Sequence, residues 1–231
     1  MIKVPIYNTL ISNGMNIKTI IESIISIILP KEKYVSEIEN LSPEYIENEI
    51  PRANETNNPK FKALFQYKDK IIRKAIWEIK YRNNRKIAEK FCRPFYDFII
   101  EELSDEITFE NFNNPLLIPI PSGKETIKKR GFNQCELLVK ILTELDNNQN
   151  FQSETKAILK IKETIHQSET KNKSKRLKNL EGCFWADPEK VRGKCVILID
   201  DVITTGATMK EVSKTLKEAG ARKVIGFSLA H

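Results

Sequence analysis

The stretch Val196-Ile-Leu-Ile-Asp-Asp-Val-Ile-Thr-Thr-Gly-Ala-Thr208 decides the fold. Its four leading apolar residues follow Cys195 and read as a strand. Two adjacent carboxylates, Asp200 and Asp201, come at the strand's end, and a hydroxyl-rich turn with one glycine follows. Helical spacing then runs from Ala207 to Ala219 and stops at Gly220, before a second apolar run over Lys223–Leu229. Strand, helix and strand in so short a span form a right-handed βαβ unit, which requires parallel pairing. The fold class is therefore α/β, a parallel β-sheet flanked by helices.

The same residues specify a ligand. In open α/β sheets, ligands bind beyond the carboxyl ends of the strands. Thr204, Thr205 and Thr208 offer hydroxyls, and Gly206 lets the backbone approach closely. The helix opening at Ala207 adds unpaired N–H groups and the positive end of its dipole, so the turn can cradle a phosphate dianion. Carboxylates repel phosphate, but they accept hydrogen bonds from the vicinal hydroxyls of a ribose. Acid pair, spacer and phosphate loop thus measure out a ribose 5-phosphate ester. A strand cap followed by a plain turn would use the same residue types. The agreement of strand, acids, loop and helix favours the site. Neither a Walker A loop nor a dinucleotide fingerprint is present.

Outward from this core, Leu116–Ile120 reads as a buried strand closing on Pro119-Ile120-Pro121. Helical periodicity marks 67–81, 85–103 and 133–145, while Ala157–Ile161 suits a strand and 162–182 a polar, basic loop. Residues 17–29 show helical periodicity that stops at Pro30, and Ser42-Pro43-Glu44 reads as the opening of another helix. The stretch 51–60 lacks an apolar pattern and reads as a linker, dividing a helical appendage (1–60) from the main domain (61–231). Residues 17–29 are too short and too polar to span a bilayer. Four cysteines without a C-x-x-C pair suit reduced thiols, so a cytoplasmic location without membrane attachment is expected. Trp77 and Trp185 are expected to pack in the core or the hood.

Lys and Arg outnumber Asp and Glu by 38 to 31, a net charge of +7 that suits a phosphate ester or a nucleic acid. The abundance of Ile, Asn and Lys would also follow from AT-rich coding. Single-stranded DNA calls for stacking aromatics beside the cations. No run of this sequence interleaves them.

The stretch 196–208 resembles the 5-phosphoribosyl-1-pyrophosphate (PRPP) motif of type I phosphoribosyltransferases. That resemblance implies a sheet with a small hood and Mg²⁺-assisted loss of pyrophosphate from C1. It assigns Asp200 and Asp201 to the ribose and the catalytic centre, and Thr204, Thr205, Gly206, Ala207 and Thr208 to the 5-phosphate. Mg²⁺ would be held through the substrate, with Asp200 or Asp201 as the candidate protein ligand. The acceptor is implied only as a nitrogen nucleophile.

More narrowly, the chain from about residue 61 is similar to the ComF family, associated with competence and DNA uptake. The likeness rests on Tyr67 to Lys80-Tyr81, on Pro119-Ile120-Pro121 with Arg130-Gly131-Phe132-Asn133-Gln134, and on Lys160, Lys162, Thr164, Gln167, Arg176, Asn179, Gly182 and Phe184. It implies pyrophosphate ligands at Arg130 and Arg176. Pro121 and Ser122, in the loop after a strand, read either as backbone N–H donors to the same pyrophosphate or as a Pro-rich strand end, and 162–178 either as a segment folding over the substrate or as an ordinary charged loop. Arg130 follows Lys128 and Lys129, a triplet that would also suit a solvated face. The family's N-terminal zinc module is lost or replaced here, since Lys31-Glu-Lys-Tyr stands where its cysteines are expected. Three functions follow: an enzyme transferring a phosphoribosyl group, a non-catalytic PRPP-binding module, or a DNA-uptake component touching single strands.

Overall fold

Along the described residues, 33–162 and 180–231 of a computed structural model, the elements are α1 (Lys33–Glu39), α2 (Pro43–Asn48), β1 (Phe61–Phe65), α3 (Lys70–Arg82), α4 (Arg85–Glu110), β2 (Leu116–Pro119), α5 (Lys124–Arg130), α6 (Gln134–Leu145), β3 (Gln152–Ser153), β4 (Ile158–Lys160), β5 (Phe184–Ala186), α7 (Pro188–Val191), β6 (Cys195–Val202), α8 (Ala207–Glu218) and β7 (Lys223–Ala230). Contacts divide the chain into two units, Met1–Asn40 and Leu41–His231. Residues 41–60 therefore fall in the larger unit. The expected helix over 17–29 lies outside the described residues.

Five strands form one parallel sheet in the order β1-β7-β6-β2-β3. The βαβ unit read from 195–229 is its centre, with Leu198 of β6 opposite Ile118 on one side and Gly226 on the other. Alternation splits β6 between two cores. Val196 and Leu198 join Met209, Val212 and Leu216 of α8 on one face. On the other face Phe98 of α4 meets Phe227 of β7 edge-on, with ring centres 5.9 Å apart. An apolar strand between two helical layers is what a fully buried parallel strand needs. A separate antiparallel pair, β4 with β5, makes the hood.

Local chemistry sets the helix ends. Asp69 accepts from the Ile71 and Ile72 amides at 2.8 and 3.0 Å, opening α3, and Asn83 closes it at φ 51°. Ser42 caps α2 ahead of Pro43, as expected from the sequence.

Three features differ from the sequence reading. The stretch 51–60 is not a free linker, because Arg52 bridges Phe65 and the Ala53 amide donates to Leu64 O at 3.0 Å. Strand β1 has no counterpart in the sequence reading, because only three of its five residues are buried. Helix α4 runs on past Leu103 to Glu110 and carries Pro94 inside it. Among the described residues, no helix is long and apolar enough to cross a membrane.

Candidate functional site

At the carboxyl edge of β6 and β2 lies a cleft of about 440 Å³. Asp200, Asp201, Thr204, Thr205, Gly206, Ala207 and Thr208 line one side of it. Pro121, Ser122 and Arg130 line the other. Residues chosen from two separate stretches thus meet in one cavity. Arg176 and the segment 163–179 lie outside the described residues.

Gly206 sits at φ 70°, which L side chains rarely adopt, and it opens α8 without a side-chain cap. A Cβ there would find its nearest neighbour, Phe61, at 3.8 Å, so conformation and not space demands the glycine. Thr205 Oγ1 accepts from the Ala207 amide at 3.4 Å. The first turn of α8 therefore faces the cleft with the donors a phosphate needs.

The two acids, alike in the sequence, are not alike in place. Asp200 is half-buried, and its Oδ1 accepts from the Asp201 amide at 2.9 Å and from the Cys135 thiol at 3.4 Å. Asp201 is 3% exposed and pairs through Oδ2 with Lys80 Nζ at 2.7 Å. Burial and the neighbouring Asp201 charge push the Asp200 carboxyl up to about 7. Burial also acts to raise Asp201, but the Lys80 ammonium outweighs it and holds that group below the usual carboxylate range. Lys80 is desolvated too, yet its partner raises it above the ordinary lysine value. Cys135 is pushed well up by burial and by Asp200, so it stays a neutral thiol. Ligand atoms of Cys135, Asp200 and Asp201 lie within 4.8 Å of one another.

The opposite wall is tied to this one. Asn133 caps α6 by accepting from the Cys135 amide at 3.1 Å, and it donates to Ile120 O at 3.0 Å. Ser122 Oγ donates to Asn133 Oδ1 at 3.1 Å. Arg130 Nη1 donates to Gln134 Oε1 at 3.1 Å, and the guanidinium lies 4.8 Å from the Tyr81 ring centre. Of the basic triplet, Arg130 lines the cleft while Lys128 and Lys129 do not.

Lys80, Tyr81, Gln134 and Cys135 were given no role by the sequence reading, although the first three fall in segments quoted for the family likeness. The available signal was the Lys80-Tyr81 pair at the end of an amphipathic helix.

The core alternative is corrected for both tryptophans, Trp77 and Trp185, which are 40% and 46% exposed. Trp185 stands on β5, in the hood. Trp77 belongs to a second recess of about 470 Å³ that shares Tyr67, Lys80 and Tyr81 with the main cleft and adds Lys70, Arg73 and Lys74. Lys74 Nζ and the Arg82 guanidinium lie 4.8 and 5.0 Å from the Trp77 ring centre. Aromatic and basic residues are therefore interleaved along one face of α3. Trp77 stands three or four positions from Arg73, Lys74, Lys80 and Tyr81, a helical spacing that no contiguous run of the sequence displays.

A model of the phosphoribosyl transferase domain matches residues 95–230. Competence protein ComFC of Streptococcus pneumoniae is 35% identical over 139 residues, covering 59% of this chain and 54% of that protein. ComFC of Bacillus subtilis is 28% identical over 169 residues, 73% of this chain and 62% of that one. DNA utilization protein YhgH of Escherichia coli O157:H7 is 31% identical over 108 residues, 47% and 45% of the two chains. The chain thus spans roughly half to three fifths of the length of these relatives. Among solved structures, a hypoxanthine phosphoribosyltransferase from Trypanosoma cruzi is similar at 14% identity and TM-score 0.35, covering 60% of this chain and 66% of that one. One from Staphylococcus aureus gives 14% and 0.32, with 60% of each chain covered.

Proposed function

The chain belongs to the phosphoribosyl transferase domain family, in its ComF-like branch, and from that premise we propose that it binds PRPP with Mg²⁺ and transfers the phosphoribosyl group to a nitrogen acceptor. The observation that carries this reading is the meeting of the acid pair, the Thr204–Thr208 loop and the Pro121, Ser122 and Arg130 side in one cleft. Its size falls within the range of small-ligand pockets.

In this reading Asp200 and Asp201 accept hydrogen bonds from the ribose hydroxyls. The loop from Thr204 to Thr208 holds the 5-phosphate. Arg130, with Ser122 and the backbone about Pro121, faces the departing pyrophosphate, where cationic and N–H donors stabilise growing negative charge. The bond from C1 to pyrophosphate breaks as the bond from the acceptor nitrogen forms, with inversion at C1. The nitrogen's proton leaves to solvent.

The donor set suits a hard cation through one carboxylate only. Asp201 is already neutralised by Lys80, and Cys135 is a protonated, soft ligand. That leaves Asp200 beside substrate oxygens, the sparse protein ligation that Mg²⁺ accepts. Mg²⁺ bound there would neutralise charge on the pyrophosphate.

The test combines calorimetry of PRPP and Mg²⁺ binding with a pyrophosphate-release assay across bases, amines and ammonia. Binding with release supports transfer, and binding without release supports a PRPP-binding module that lacks turnover. If Asp200→Ala and Asp201→Ala both bind PRPP as the parent does, the site is elsewhere.

A second reading, contact with single-stranded DNA, is favoured by the interleaved α3 face. Labelled oligothymidylate should bind with an affinity that falls as salt rises, and Trp77→Ala should weaken it. Salt-independent binding would rule this reading out.

A further inference from the structure

Arg130 is poorly anchored by its own element. Helix α5 is seven residues long and has no buried side chain, and Gly131 follows at φ 87°. A guanidinium leaving such a helix would sweep a wide arc unless other groups held it. Two do. The Tyr81 ring sits beneath the guanidinium, and Gln134, 6% exposed at the start of α6, accepts one of its N–H groups.

Tyr81 is itself held in place. It lies in the last turn of α3, next to Lys80, whose ion pair with the buried Asp201 fastens that turn to β6. Trp77 also meets the ring, tilted at 43° with 5.6 Å between ring centres. Tyr81 is 52% exposed, so it fills no core position. Its ring meets Arg130 and Trp77.

We propose that Tyr81 is a positioning residue, whose ring holds the Arg130 guanidinium over the pyrophosphate end of the cleft. The proposal rests on the cleft being the PRPP site and adds the group that aims its cation. The ring acts through its π face, so its hydroxyl is dispensable. The ribose end is served by Asp200, Asp201 and the Thr204–Thr208 loop, and it does not depend on Tyr81.

The experiment measures two affinities for each protein by calorimetry in Mg²⁺ buffer: pyrophosphate and ribose 5-phosphate. Tyr81→Leu should bind pyrophosphate about two- to fivefold more weakly, the size of an exposed cation–π contact, with ribose 5-phosphate unchanged. Tyr81→Phe should restore the parental pyrophosphate affinity. If Tyr81→Leu binds pyrophosphate as the parent does, or loses both ligands equally, the positioning role is wrong. If the parent protein binds neither ligand, the underlying site assignment fails, which is a different and recognisable result.

Discussion

The two walls of the cleft are built on opposite plans. The phosphate wall, β6 with its loop and α8, comes from consecutive residues and works mainly through backbone: a strand end, a left-handed glycine, a helix start. The cation wall is assembled from α3, α5 and α6 by side chains remote in sequence, pairing Lys80 with Asp201, Tyr81 with Arg130 and Cys135 with Asp200. The first plan depends on conformation and close approach. The second depends on buried charge, and its energies should be larger and more specific to single atoms.

The largest effect is expected from the pair joining the walls. Lys80→Met would leave Asp201 buried beside Asp200 with no counter-charge. Breaking a buried pair on one side costs about 3–5 kcal/mol, and the lower end applies because the Lys80 side chain is 24% exposed. Urea denaturation of Lys80→Met should show that loss, and Lys80→Met with Asp201→Asn should recover most of it. A cost below about 1 kcal/mol, the range of surface pairs, would erase the contrast between the walls.

Two glycines separate conformation from space. A Cβ on Gly226 would stand 2.7 Å from Met209 Sδ and 3.0 Å from Phe61 Cδ1, where α8 and β1 press on β7. Gly226→Ala should cost about 1–3 kcal/mol by overpacking. Gly206→Ala has room but the wrong φ, so its stability cost should be nearer 1 kcal/mol. The ranking should reverse for ligand: Gly206→Ala should lose more affinity for ribose 5-phosphate than Gly226→Ala. If both change stability and affinity in proportion, the loop has no special part in binding.

The same contrast explains what could be read in advance. The phosphate wall was legible because strand, acids, loop and helix are adjacent, so each element constrains the next. The parallel sheet followed from that one βαβ unit. The inequality of Asp200 and Asp201 was not legible, since it depends on which faces of β6 meet Lys80 and Cys135. Helix α5 escaped notice because it has no buried face and so no apolar period. The aromatic and basic face of α3 was hidden differently: its residues were visible, but their order along the chain is not their order on the helix.

The last test falls on the acid that stands between the walls. With its carboxyl raised from 3.8 to about 7, Asp200 favours the folded state fully below about pH 4, and that contribution is lost as pH rises through 7. Binding should run the other way, because a ribose diol donates to the carboxylate. From pH 6 to 8 the ionised fraction of Asp200 rises from about a tenth to about nine tenths, which sets an upper bound near tenfold, or about 1.4 kcal/mol, on the gain in ribose 5-phosphate affinity. The ligand's own second ionisation, near pH 6, adds about twofold in any variant. Calorimetry at pH 6 and 8 should therefore show a large gain for the parent and about twofold for Asp200→Asn. Equal gains in both would mean that Asp200 keeps its proton on binding. The ribose end would then rest on Asp201 and the loop alone, with the acid between the walls taking no part in gripping the sugar.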